Sequence, residues 1–276
     1  MNQQNVEISG QRITYLESPG GRDDWNDRAF IFVHGNSSSA ATWLPVLEGS
    51  FGQQFRCLAI DLPGHGGSGP ATDKANYSLP GYAAVLAGFA RVLGAADSVL
   101  VGWSLGGHIV LEAASALPDA AGFVIFGAPP VKSAAQLAEA FLPNPAMDVG
   151  FAASVSEDEA KAYAASFTAA DSAFPTGEFV SDILATDGAA RAGLMTSIGE
   201  GRFADQIAIA TGLRQPLAIL QGASEQLVSL DYLRSLTVPT LWRGDVQLIP
   251  GAGHALHQEA PQQFAAVLTD FSSDLG

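Results

Sequence analysis

A single cysteine, Cys57, is all the thiol chemistry in this chain of 276 residues. It lies inside the strand-like run Phe55 to Ile60, so an internal disulfide is excluded and a buried structural thiol is expected. No apolar run approaches the roughly 18 residues that a membrane helix needs. The opening Met1 to Asn5 has no basic segment followed by an apolar one, so no secretory leader is expected, and the expected compartment is the cytoplasm. Basic side chains are scarce, 13 against 28 acidic ones, for a net charge of -15. That balance argues against nucleic acid and against an anionic membrane as partners, and favours a neutral or weakly polar small-molecule substrate. His-x-His and paired cysteines are missing, and Gly64-x-Gly66 does not have the dinucleotide fingerprint spacing, so neither a metal nor another cofactor is expected. The sequence leaves the oligomeric state open.

What is present is a core-forming chain, 47% hydrophobic. Val6 to Ser9 and Arg12 to Leu16 alternate around Gly10-Gln11 and read as a hairpin. Six apolar runs follow: Ala29 to Val33, Phe55 to Ile60, Ser98 to Val101, Gly122 to Phe126, Pro216 to Leu220 and Val246 to Ile249. Helical patterns lie at Ala41 to Leu47, Leu79 to Leu93, Leu105 to Leu117, Leu230 to Leu236 and Pro261 to Phe271. Strands apolar on both faces, alternating with helices, imply an α/β fold with a mostly parallel sheet covered on both sides, eight strands in all. The rhythm breaks once. Residues 131–212 contain no convincing strand, only short helical stretches between Pro143, Pro145, Pro175 and several glycines. They are expected to form a helical cap inserted into a core of residues 1–130 and 213–276, held to it by residues such as Phe141, Leu142, Met147, Phe151, Phe167, Phe174, Phe179 and Met195.

The chemistry starts at Gly102-Trp103-Ser104-Leu105-Gly106, which joins a predicted strand to a predicted helix. A serine on such a sharp turn holds its hydroxyl out at the top of the sheet, and the flanking glycines permit a turn that side chains would block. A serine hydroxyl needs a base to take its proton. In this strand-turn-helix setting the chain order is serine, acid, histidine, which leaves His254 and His257 of the five histidines. His254, in the Gly-rich loop Pro250 to His254 after the last strand, is the expected base, and His257 is read as a surface or helix-start residue. The acid belongs on the loop after Pro216 to Leu220, where Glu225 is the choice, with Asp231 and Asp245 as runners-up. The oxyanion donors expected are the backbone N–H of Leu105 and, in His34-Gly35-Asn36-Ser37-Ser38-Ser39, that of Asn36. His34 and His65 are read as structural. Asp61 to Ser68 is expected to order loops near the pocket.

With these residues placed, the chain resembles the α/β-hydrolase superfamily, and within it the metal-independent N-acyl-homoserine lactone lactonases. The segments that carry the closer resemblance are His34 to Ser39, Asp61 to Gly66, Gly102 to Ile109, Pro129-Pro130, Thr186-Asp187-Gly188 and Ala252 to Ala255. The resemblance implies a triad of Ser104, Glu225 and His254, a role for Asn36, and a cap tyrosine, Tyr163, that helps orient a lactone. Trp103, Phe141 and Met147 are further candidate substrate contacts. Read from the residues alone, Tyr163 could equally be a packing residue. The activity implied is opening of the lactone ring of N-acyl-homoserine lactones through an acyl-enzyme, which would silence quorum signals. Rival readings are a general carboxylesterase on short-to-medium acyl esters, carbon-carbon bond hydrolysis or peracid formation on the same triad, and a ligand sensor on the hydrolase scaffold with negligible turnover.

Overall fold

The computed structural model describes residues 2–20 and 28–275. Eight strands form one sheet: β1 (Asn2–Ile8), β2 (Gln11–Glu17), β3 (Phe30–Val33), β4 (Cys57–Ile60), β5 (Val99–Trp103), β6 (Gly122–Phe126), β7 (Leu217–Gly222) and β8 (Gln247–Ile249). Their spatial order is β1-β2-β4-β3-β5-β6-β7-β8. β1 and β2 form an antiparallel hairpin, β2 meets β4 antiparallel, and the remaining pairs are parallel. β4 lies on one side of β3 and β5 on the other, so the chain reverses its direction of travel at β3. The crevice above such a reversal, outside the carboxyl ends of the strands, is where open α/β sheets bind ligands.

Neighbouring residues of β6 show that both faces are covered, because successive side chains point to opposite sides. A Cβ on Gly107 would come 3.4 Å from Ile125 Cβ, so Ile125 meets the helix Leu105–Ala113. Phe126 instead faces Phe264 of the helix Pro261–Asp274, ring centres 5.3 Å apart. Parallel strands buried this way carry apolar residues at every position, as Phe30–Val33 and Cys57–Ile60 do. Cys57 is buried, and burial raises its thiol well above the ordinary range.

Only helices and 3-10 turns lie between β6 and β7 as named elements, the longest being Glu157–Ala165, Gly177–Ala185 and Gly188–Gly199. An isolated bridge joins Phe141 to Val228 beyond β7. Phe167 and Phe179 are buried, whereas Leu142 and Met195 are 38% and 53% exposed and do not pack this insert onto the core. Other boundaries shift for local reasons. The expected helix Leu105 to Leu117 ends at Ala113 and tightens into the 3-10 turn Ala114–Ala116. Ala41 to Leu47 divides into a 3-10 turn and the one-turn helix Leu44–Leu47, which has Pro45 in its first turn.

Candidate active site

β5 delivers Ser104 to its turn with φ 53° and ψ -121°. A residue with a Cβ is strained in that region, which is usually left to glycine. The neighbouring glycines are required sterically: a Cβ on Gly102 would overlap the backbone of Gly106, and one on Gly106 would overlap the carbonyl of Val33. Ser104 N–H donates to Phe126 O at 2.8 Å, which fixes the turn on the end of β6. The helix Leu105–Ala113 starts at once, so the N–H of Leu105 heads a helix and has no intrahelical partner.

His254 comes to the same strand end from the loop after β8. A Cβ on Gly127, the residue after Phe126, would sit 2.5 Å from His254 Cε1 and 3.0 Å from Nε2. The imidazole therefore lies against the residue next to the one that anchors Ser104. Its Nδ1 is 2.9 Å from Glu225 Oε2, and both side chains are almost fully buried. Glu225 Oε1 accepts from Leu227 N–H at 2.7 Å, so both carboxylate oxygens are held. The loops that carry Glu225 and His254 are also joined directly: Ala223 N–H donates to Ile249 O and Ser224 N–H to Ala252 O, each at 2.9 Å. Trp103 Nε1 donates to His254 O at 3.0 Å, tying that loop to the residue before Ser104. The runners-up lie elsewhere. Asp231 is exposed in the first turn of Leu230–Ser235, and Asp245 pairs with Arg234 at 3.3 Å.

The loop after β3 closes the other side. A Cβ on Gly35 would come 3.0 Å from the Trp103 ring, which places this loop on the serine turn. Asn36 Nδ2 donates to Gly150 O of the insert at 2.5 Å. Asp61 holds the loop from behind, accepting from Ala40 N–H at 2.6 Å and Gly67 N–H at 2.8 Å, while burial raises its carboxyl above the usual range. His34 donates from Nδ1 to Gly35 O at 2.7 Å and accepts at Nε2 from Leu62 N–H at 3.1 Å, one consistent neutral tautomer. Burial lowers His34 to about 4 and His65 to about 3.

Tyr163 is buried, and burial raises its hydroxyl well above the ordinary range. A Cβ on Gly150 would lie 2.6 Å from Tyr163 Oη and 3.1 Å from Asn36 Nδ2, so the tyrosine, the asparagine and the Gly150 backbone converge. Met147 is half-buried in the same 3-10 segment, Pro145–Phe151. Phe141, also half-buried, puts its ring 6.3 Å from that of His108.

His257 is not at the surface. It is fully buried in the short helix Leu256–Glu259, among the rings of Trp43, Trp103, Phe126 and Phe264, with Nε2 2.8 Å from Thr42 Oγ1. The final helix folds this segment back under Trp103, a long-range packing that local sequence does not reveal. Thr186-Asp187-Gly188 serves as a joint between insert and core: Asp187 accepts from Tyr77 Oη at 2.7 Å and from Ala189 N–H at 2.9 Å, and its own N–H donates to Gly64 O. Sequence reasoning did not single out Glu259 or Asp182. Glu259 accepts from Gly253 N–H at 2.7 Å and from Ala169 N–H at 3.1 Å, bracing the His254 loop against the insert. Asp182 of the helix Gly177–Ala185 accepts from Ser39 Oγ at 2.8 Å, and burial raises it to about 6. Both look like ordinary surface carboxylates until the partner is known.

A family model described as "Alpha/beta hydrolase family" matches residues 30–267. The biotin biosynthesis bifunctional protein BioHC of Teredinibacter turnerae is 29% identical over 269 residues, 89% of this chain and 45% of its own length. Esterase Rv0045c of Mycobacterium tuberculosis is 39% identical over 95 residues, 34% of this chain and 30% of its own length. The chain thus spans less than half the length of these relatives. Among solved structures, N-acyl homoserine lactonase AidH, crystallised as a serine-to-glycine mutant with N-hexanoyl homoserine lactone, superposes with a TM-score of 0.92 at 35% identity, covering 100% of this chain and 98% of that one. A putative aryl esterase from Burkholderia cenocepacia shares the fold, with a TM-score of 0.82 at 22% identity. Sheet order, serine turn and family match agree, and this chain is a member of the alpha/beta hydrolase family.

Proposed function

We propose that the protein is a carboxylic ester hydrolase that opens the ring of N-acyl-homoserine lactones, with Ser104 as nucleophile, His254 as general base and Glu225 as the carboxylate that orients the imidazole. The observation that carries this reading is the buried His254–Glu225 pair, its ring lying on the residue next to the anchor of the Ser104 turn. With Nδ1–H given to Glu225, the free Nε2 is the acceptor that a serine proton requires. As the hydroxyl attacks the lactone carbonyl, negative charge grows on its oxygen, and the N–H groups of Leu105 and Asn36 stabilise it. Donors of this kind are worth roughly 3 kcal/mol of barrier each. Ring opening leaves the alcohol tethered to the acyl-enzyme, close enough to attack back, so water activated by His254 has to compete with it. Residues 131–212 act as a cap over the crevice. Tyr163 orients the lactone from the cap, and Trp103, Phe141 and Met147 contact the substrate. The likeness to a lactonase crystallised with N-hexanoyl homoserine lactone supports the substrate class, and ring opening of such signals would amount to quorum quenching.

The deciding experiment follows acid release from N-butanoyl, N-hexanoyl and N-decanoyl homoserine lactones by the protein and by Ser104→Ala, beside open-chain esters of matched acyl length. Efficient ring opening that Ser104→Ala abolishes is the expected result. Much faster cleavage of the open-chain esters would instead make the protein a general carboxylesterase, the reading that the local similarity to an esterase favours.

A further inference from the structure

The helix that begins beside Ser104 carries polar groups of its own on one stripe. Ser104, His108 and Glu112 are partly open, while Leu105, Gly106, Gly107, Ile109, Val110 and Leu111 are buried. Ser104 is the residue just before this helix, its φ of 53° outside the helical range, while His108 and Glu112, four apart on the helix itself, stand one above the other with Cβ atoms about 5–6 Å apart. Their stripe faces the insert. Glu112 accepts from Ala204 N–H at 2.9 Å, and His108 lies 2.8 Å by Nδ1 from Gln206 Oε1. Gln206 is fully buried, its backbone N–H donates to Val131 O at 3.0 Å, and its Nε2 is buried without a partner among the described residues, so Oε1 on His108 is its one side-chain contact.

A carboxamide oxygen only accepts, so this contact puts the ring proton on Nδ1 and leaves Nε2 as a bare lone pair. That Nε2 makes no hydrogen bond among the described residues and is not among their buried unpartnered atoms. Burial and the nearby His254 both lower the proton affinity of His108, keeping the ring neutral. One turn beyond the nucleophile there is thus a preorganised acceptor with an open lone pair. The triad and oxyanion donors leave it unused.

In an N-acyl-homoserine lactone the amide nitrogen sits on the carbon next to the attacked carbonyl, about 2.5 Å from the carbonyl carbon by ordinary bond lengths. A carbonyl held about 3 Å from the Ser104 hydroxyl therefore carries its amide N–H close to the serine turn, and His108 is the polar side chain of the first helical turn after it, near enough to His254 to feel its charge. We propose that His108, held in one tautomer by Gln206, accepts the substrate's amide N–H through Nε2 and so selects N-acylated lactones over lactones that lack the amide. This rests on the lactonase reading above. His108 takes no part in the covalent steps; it recognises and positions.

The test is a selectivity ratio: kcat/KM for N-hexanoyl homoserine lactone divided by kcat/KM for a γ-butyrolactone bearing an alkyl chain of matched length on the same carbon. His108→Leu is expected to lower that ratio about tenfold, the scale of one neutral hydrogen bond. His108→Gln, which returns an acceptor, is expected to recover most of it. An unchanged ratio in His108→Leu, or a ratio in His108→Gln as low as that of the leucine variant, would overturn the proposal, because a residue that only docks the insert would slow both lactones alike. If His108→Leu does not fold, the wild-type protein gives the same readout with the N-methylated amide, which has no N–H to donate: turnover as fast as that of the parent lactone rejects the idea. If the wild type opens neither lactone but cleaves aryl esters, the lactonase reading fails by itself. The ratio is then taken between p-nitrophenyl esters of N-butanoylglycine and of heptanoic acid, with the same outcomes deciding the role of His108.

Discussion

Ser104 sets two requirements against each other. Its φ of 53° with ψ -121° strains any residue with a Cβ, and under the proposed role as nucleophile the turn keeps that conformation so that the hydroxyl projects. Ser104→Gly and Ser104→Ala should both lose activity, by about 10⁵ to 10⁶ in kcat. They should differ in stability. The glycine variant relieves the strain and is expected to be about 1 kcal/mol more stable than the alanine variant, read from chemical denaturation of the two side by side. Equal stabilities would mean that the turn is relaxed in solution. Glu225→Gln tests the orienting carboxylate. With its carboxamide oxygen kept on Leu227 N–H, its NH2 donates to Nδ1, which puts the imidazole in the wrong tautomer, and kcat should fall by about 10⁴ while KM stays within a few-fold. An unaffected kcat would remove Glu225 from the proposed triad.

At the scale of elements, the insert is joined to the core by a few polar contacts beside the crevice: Asn36 to Gly150, Ser39 to Asp182, and Asp187 to Tyr77. Asp187 also caps the helix Gly188–Gly199 through Ala189 N–H. Asp187→Ala removes the cap and leaves Tyr77 Oη without its acceptor, and is expected to cost about 2 kcal/mol in thermal or urea unfolding. Asp187→Asn should keep the cap and lose less than half of that. Equal losses in the two variants would show that the Tyr77 contact, not the cap, carries the stability. The elements also mark the reach of sequence reading. Every expected strand formed: the six apolar runs lie as mutually parallel strands, and the two alternating segments pair antiparallel as the hairpin. His257 does stand at a helix start, but it is buried and not at the surface, because the final helix packs beside it under Trp103, and Asp182 and Glu259 passed unnoticed because their partners are 143 and 6 to 90 residues away.

For the whole molecule, the buried histidines set an acid limit. His34, lowered to about 4, His65, lowered to about 3, and His257 are neutral when folded, because burial penalises their charged forms. Unfolding frees them to take up protons below their ordinary value near 6.5. The unfolded chain then binds more protons, so stability is complete above about pH 6.5 and falls as pH drops toward 4, by up to about 1.4 kcal/mol per pH unit for each such histidine. Asp182, raised to about 6, and Asp61 and Glu112, also raised by burial, hold protons in the folded protein over part of the same interval and oppose the trend, while His108, lowered by burial, adds to it, so four histidines stand against three carboxyls. The net charge of -15 adds self-repulsion near neutral pH, a term that salt screens and the buried histidines escape. Denaturant unfolding between pH 4 and 8 in 0.15 M salt should therefore show falling stability on the acid side, and a flat profile would refute the buried neutral histidines.

The sequence by itself determined the alternation of strands and helices, the position of the serine turn and the identity of a histidine past the last strand, since each is written in a periodicity or a spacing of a few residues. Only the tertiary structure decided between Glu225 and its runners-up as the partner of that histidine, that His257 is core, that Asn36 reaches Gly150, and that Gln206 meets His108. Those are contacts across the sheet and between insert and core. Their energies depend on burial and distance, which no local run of residues encodes.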